Sequence, residues 1–210
     1  MSSIVSSKKT LAQIVNNKDG FYFWNNKNGS FMDHGLVNPV LSIAKGGKFR
    51  INCLESAEYI RLAEKSEEPV SLRVTIQCVN SNGMGGGYIS CRREFGGTRS
   101  SLAEYRQAVG DYEVFEMIHC DYDNSYIFKA HNGLYLHNND TYHTVAFKTC
   151  SERSEGLPVK GRWDLLLEEE SDRRGKYSAS WSIPKQIALL PISLIQAPFK
   201  ATGDSSGPGT

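Results

Sequence analysis

The side chains with the most chemical reach in this chain are arginines and histidines. Arg92, Arg93, Arg99 and Arg106 crowd one short stretch. Clustered guanidinium groups grip carboxylates and phosphates through two parallel hydrogen bonds. An acidic protein filament or an anionic lipid surface would suit them. In one extended strand Arg92 and Arg93 would point to opposite faces, and Glu94 and Glu104 stand ready to neutralise part of the cluster. A second set is polar and aromatic. Asn138, Asn139 and Asp140 precede Tyr142, which places hydrogen-bonding carboxamides and a carboxylate beside a ring, the combination a sugar ring would need. His131 and His137 flank the hairpin around Asn132-Gly133, with His143 nearby, and His34 and His119 lie apart. A zinc site needs three or four converging ligands. Nothing in this spacing forces convergence, so the histidines read as surface or turn residues and no metal or other cofactor is expected.

No catalytic constellation stands out. There is no Gly-x-Ser-x-Gly elbow, and no Cys/His pair sits in a recognisable context. Asn80 to Gly87 is Gly-rich but lacks the Lys-Ser/Thr ending of a phosphate-binding loop, and no helix pattern follows it. The five cysteines, Cys53, Cys78, Cys91, Cys120 and Cys150, are odd in number and widely spaced. That is neither a disulfide framework nor a zinc signature, so buried free thiols and a cytoplasmic location are expected. The 24 basic and 23 acidic residues leave a net charge of +1, without the basic footprint of a nucleic-acid binder. No apolar run reaches the about 20 residues that a bilayer-spanning helix needs.

The elements that must position these residues are short strands. Tyr126-Ile127-Phe128 leads through Asn132-Gly133 into Leu134-Tyr135-Leu136. Asn-Gly between apolar runs signals a hairpin, because both residues tolerate the positive φ angles of a type I′ turn. Tyr22-Phe23-Trp24, Asn28-Gly29 and Ser30-Phe31-Met32 repeat the pattern, and Val74-Thr75-Ile76 with Tyr88-Ile89-Ser90 gives a looser copy. Val70, Leu72, Val74, Ile76 and Cys78 alternate on one face of a strand. Further strands are expected at 40–43, 49–54, 101–106, 112–118, 145–148 and 162–167. Residues 58–64 fit strand or helix equally.

The hairpins begin near 22, 72 and 126, about 50 residues apart. Each unit offers about four strands, and three units of four strands are the count of a β-trefoil. Six strands there close a barrel and leave no exposed sheet edge, and no unit alone could bury its apolar face. The expected class is therefore all-β, a β-trefoil over residues 20–170. The run Ile127-Phe128-Lys129-Ala130-His131-Asn132-Gly133-Leu134-Tyr135-Leu136, then Val145-Ala146-Phe147 and Trp163-Asp164-Leu165-Leu166, resembles the fascin-like and hisactophilin-like trefoil superfamily. The resemblance implies a non-enzymatic interaction protein, with F-actin or another filament as the leading partner. A trefoil lectin that binds glycans between its repeat units is the alternative, and a subunit of a larger assembly a third.

Outside the barrel, residues 1–19 read as an arm that either makes one or two helical turns or stays loosely ordered. The charged stretch at 171–176 reads as a domain edge, and Glu168-Glu169-Glu170 as the solvent end of a strand. Residues 171–202 form a C-terminal extension whose apolar strip, Ile187 to Phe199, packs on the barrel or on a protein partner. Residues 203–210 are expected to be disordered.

Overall fold

The computed structural model describes residues 9–25, 27–35, 39–42, 45–66, 70–80, 85–91, 100–121, 123–139, 144–149, 153–154, 157–158 and 161–181. They form an all-β chain with few helices. In order the elements are α1 (Leu11–Val15), β1 (Tyr22–Asn25), β2 (Ser30–Asp33), β3 (Val40–Ser42), β4 (Lys48–Cys53) and α2 (Ala57–Ala63). Then come β5 (Ser71–Val79), β6 (Gly85–Ser90), β7 (Ser100–Leu102), β8 (Glu104–Arg106), a 3-10 turn at Asp111–Glu113 and β9 (Phe115–Cys120). Last are β10 (Ser125–Ala130), β11 (Tyr135–Asn139), β12 (Thr144–Lys148), β13 (Arg153–Ser154), β14 (Leu157–Pro158), β15 (Asp164–Leu166) and α3 (Glu168–Trp181).

Six strands close a ring. β15 pairs with β1, β4 with β5, β5 with β9 and β9 with β10, all antiparallel. Isolated bridges at Phe21–Phe49 and Tyr126–Trp163 complete the circuit. The register repeats three times. Phe21 faces Phe49, Val74 faces Phe115 and Tyr126 faces Trp163. One step along, Phe23 faces Leu165, Ile76 faces Ile51 and Phe128 faces Met117. All twelve side chains are at most 3% exposed. They fill the interior because inward positions alternate along every strand. Phe23 packs on Phe128 and Phe49 at centroid distances of 5.4 and 5.6 Å, and Phe115 stacks on Phe147 at 5.3 Å.

Three hairpins cap the ring: β2–β3, β6–β8 and β11–β12. Each points one fully buried residue inward at the same register, namely Met32, Ile89 and Leu136. The expected strand at 101–106 is two short strands, of which β7 pairs with β12 and β8 with β6. The Asn-Gly turns are not of type I′. Only the glycines take positive φ, +61° at Gly29 and +80° at Gly133. In each hairpin an asparagine side chain accepts a backbone N–H of the turn instead. Asn132 Oδ1 accepts from the Leu134 N–H at 3.2 Å, and in the first hairpin Asn25 Oδ1 accepts from the Asn28 N–H at 3.2 Å. A side-chain acceptor closes such a turn as well as a second left-handed residue does.

The arm belongs to the domain from Lys9 onward. A reciprocal cap holds α1: Thr10 Oγ1 accepts from the Gln13 N–H at 3.1 Å and Gln13 Oε1 from the Thr10 N–H at 2.9 Å. Five residues are too few for a helix to stand alone in water, but Ile14 is 0% exposed in the main core. Residues 57–63 resolve as helix, capped by Ser56. Glu168, Glu169 and Glu170 do not end a strand. They form the first turn of α3, where carboxylates complement the helix dipole, and the expected edge at 171 falls inside this helix. The strip Ile187 to Phe199 and residues 203–210 lie outside the described residues.

Candidate functional site

The loop before the fourth strand of the first unit carries Lys45-Gly46-Gly47-Lys48. It lies against the start of β1, the end of β2 and the end of β5. Between them opens a cleft of about 510 Å³ lined by Asp19, Tyr22, His34, Gly46–Lys48, Val79 and Asn80. The glycines are required. A methyl group on Gly46 would lie 2.2 Å from the Met32 carbonyl oxygen, and one on Gly47 would lie 2.5 Å from the His34 ring. That ring is fixed from two sides: its Nε2 lies 2.8 Å from the Lys48 carbonyl oxygen and it meets Phe49 edge-on at 4.8 Å, while the His34 backbone N–H donates to Asp33 Oδ1 at 2.7 Å. A carbonyl only accepts, so Nε2 carries the proton of this contact and Nδ1 is an acceptor in the neutral ring.

One wall of the cleft is a charged cluster. The Tyr22 hydroxyl donates to Glu168 Oε2 at 2.9 Å, and Lys48 Nζ meets the same oxygen at 2.6 Å. Lys45 Nζ also pairs with Glu168 and reaches Asp172 at 2.6 Å. Both ammonium groups lie over the Tyr22 ring, at 4.8 and 5.3 Å from its centroid. The bonds from Lys45 and Lys48 hold the Glu168 carboxyl down at about 2. Burial raises the Tyr22 hydroxyl, and the Glu168 carboxylate raises it further. Lys48 is raised by the Glu168 carboxylate, with Asp19 contributing. For Lys45, burial opposes the charge, but Asp172 and Glu168 outweigh it and raise the ammonium. Glu168, Lys45 and Lys48 therefore stay ionised across the neutral range, and the Tyr22 hydroxyl keeps its proton. The cluster can bind and orient a polar molecule.

Of the residues singled out in the sequence, Arg92, Arg93, Arg99, Asp140 and Tyr142 lie outside the described residues, as does His143. Arg106 sits in β8, and its guanidinium donates to Glu104 at 2.8 Å. His131 is exposed at the tip of the β10–β11 turn, edge-on to Tyr112 at 4.7 Å. Asn138 is only 1% exposed, because its alternate position on β11 points it inward. Asn139 follows it in the strand. Arg106, His131 and Asn138 are not brought together. His119 contacts Asp121 and Asn124, both at 3.0 Å. Among the described residues no group of three His, Cys, Asp or Glu could hold a metal ion, and no helix is long and apolar enough to cross a membrane. The cysteines described, Cys53, Cys78, Cys91 and Cys120, are free thiols.

The sequence reading passed over Lys45, Lys48, Tyr22, Asp19 and Asn80, and it placed His34 only as a loop histidine. The signal that could have found them is the pair of lysines flanking Gly46-Gly47. A loop that must stay free of side chains while carrying charge on both shoulders is one against which something else packs closely.

No family model matches the chain, and no curated protein matches it. Among solved structures, a botulinum neurotoxin type C chain is similar, with 12% identity and a TM-score of 0.48. The match covers 71% of this chain and 43% of that one, so the chain spans less than half the length of the toxin chain. That structure is described by the dependence of the toxin's cell entry on interaction with two ganglioside molecules.

Proposed function

We propose that the chain is a β-trefoil binding module without catalytic chemistry, and that the cleft beside Tyr22 holds a glycan. The fold part rests on the closed ring of six strands, the three capping hairpins and the three-fold repeat of the register. The ligand part rests on the make-up of the cleft. A sugar presents hydroxyl groups that donate and accept in equal measure. The cleft offers a carboxylate acceptor (Asp19), ammonium donors (Lys48), a carboxamide that does both (Asn80) and an imidazole. Its volume of about 510 Å³ falls within the range of small-molecule sites. Filament binding gains no support from this geometry. Of the four arginines on which it depended, only Arg106 is described, and Glu104 pairs with it.

The test is a glycan array probed with the parent protein and with Asp19→Ala/Asn80→Ala. Both side chains are exposed, so the variant should fold with unchanged stability. Capture of one glycan class by the parent, lost in the variant, is the expected result. Equal capture by both, or capture of none, refutes the reading.

A further inference from the structure

Resting on that glycan reading, we propose that Lys45, Lys48 and Tyr22 form an acceptor site for an anionic group of the ligand, a sugar carboxylate or sulfate ester, and that Glu168 fills this site in the free protein. Three donors from two separate segments converge on one carboxylate. Tyr22 reaches its two oxygens at 2.9 and 3.1 Å, Lys48 reaches it at 2.6 Å, and Lys45 completes the set. Two of the three, Tyr22 and Lys48, also line the cleft. A molecule in the cleft is therefore beside the carboxylate without any rearrangement of the barrel.

The resident carboxylate is half exposed. The side chains of Glu168 and Asp172 are 51% and 53% exposed, against 28% and 29% for Lys45 and Lys48. Tyr22 and Lys48 stand in strands of the ring and Lys45 in the loop beside them, and the half-exposed acceptor meets them at the surface. Exposed ion pairs of this kind contribute little each. An incoming monoanion takes over the same three donors while the Glu168 side chain turns into solvent, with Asp172 and Asp19 still in place. Neutral sugars would use the cleft without displacing Glu168. Acidic sugars would exchange with it.

The experiment titrates the parent, Glu168→Gln and Lys45→Met/Lys48→Met with an oligogalacturonate and with a neutral malto-oligosaccharide of equal length, by calorimetry. The expected result has three parts. Glu168→Gln binds the acidic sugar roughly two- to fivefold more tightly, the factor that one exposed ion pair supplies. The lysine variant loses acidic binding by about tenfold. Neutral binding does not move in Glu168→Gln, and in the lysine variant it falls by less than acidic binding does. Unchanged or weaker acidic binding in Glu168→Gln overturns the proposal, as does an equal response to both sugars. If neither sugar binds the parent, the glycan reading fails separately, and inorganic sulfate then decides the anion site. A melting temperature of Glu168→Gln that rises with sulfate, but not when both lysines are also replaced, supports it. No rise overturns it.

Discussion

Gly47→Ala is the sharpest probe of how the cleft is built. The added methyl group would sit 2.5 Å from Cδ2 and Nε2 of His34 and 2.7 Å from Cε1. No carbon packs that closely, so the ring or the loop must move. If the ring swings away, it forfeits the edge contact with Phe49, about 0.5–1.5 kcal/mol, and the bond to the Lys48 carbonyl, about 0.5–1.5 kcal/mol. If the loop moves instead, overpacking costs about 1–3 kcal/mol. Both routes give a loss of about 1–3 kcal/mol. For a domain of this size that lowers Tm by roughly 2–12 °C. The diagnostic step is a second mutation. With His34→Ala already present the methyl group has room. Gly47 does not have positive φ, so alanine there should be neutral, or stabilising by about 0.4–1 kcal/mol. Urea unfolding of the parent, both single variants and the double variant measures the coupling. Costs that add, with Gly47→Ala as harmful in the His34→Ala background as in the parent, would refute the packing of this ring on this loop.

Other consequences follow from burial and charge. Trp163 is 0% exposed and donates Nε1–H to the Leu136 carbonyl at 3.1 Å. Trp163→Ala should cost about 3–5 kcal/mol, read by urea titration, and Trp163→Phe should cost distinctly less. Glu168 has a lower pKa folded than unfolded, so its contribution is complete above the ordinary carboxylate range and is lost as pH falls toward about 2. Half exposure keeps that contribution to about 1 kcal/mol or less. The gap in urea midpoint between parent and Glu168→Gln should close between about pH 4.5 and 2, and a gap that persists at pH 2 would contradict the pairing. Burial raises the Cys78 and Cys120 thiols to about 11, whereas Cys53 is only partly buried. Among these cysteines an alkylating reagent at pH 8 should label Cys53 first, and mass mapping that finds Cys78 or Cys120 ahead of it would contradict the packing.

The strands were legible because their signal is local. Alternation along 70–78 and the apolar runs beside Asn28-Gly29 and Asn132-Gly133 mark inward faces without reference to the rest of the chain. The spacing of units was legible for the same reason. The turn type was not. Asn tolerates positive φ but can also close a turn with its side chain, and only the Leu134 and Asn28 N–H contacts decide between these uses. The start of α3 was misread because Glu168-Glu169-Glu170 has no apolar period of its own. Its support comes from distant residues, Lys9 on Glu170 at 2.9 Å and Lys45 and Lys48 on Glu168. The candidate site was illegible on the same account. Tyr22, Lys48 and Asn80 are brought together by ring closure, and none of their neighbours in sequence announces it.

The three-fold register also explains why the cleft forms where it does. Counting back three residues from Phe49 and from Phe115 reaches Gly46 and Tyr112. Each lies in the loop that meets the next unit. At the second seam the Tyr112 ring stands against His131, and the Cys91 N–H donates to the Tyr112 carbonyl at 2.9 Å. At the third, Asn25 Nδ2 donates to the Arg162 carbonyl at 3.1 Å, and Arg162 reaches Asp123 at 3.0 Å. Side chains make contacts at both of those seams. At the first seam the position corresponding to Tyr112 has no side chain, and Gly47 beside it has none. A side chain at Gly46 is excluded by the Met32 carbonyl, 2.2 Å from where its first carbon would be. The same backbone approach that brings β2 onto this loop keeps the seam open, so an opening at this place is a consequence of the local chain path and not of a missing contact.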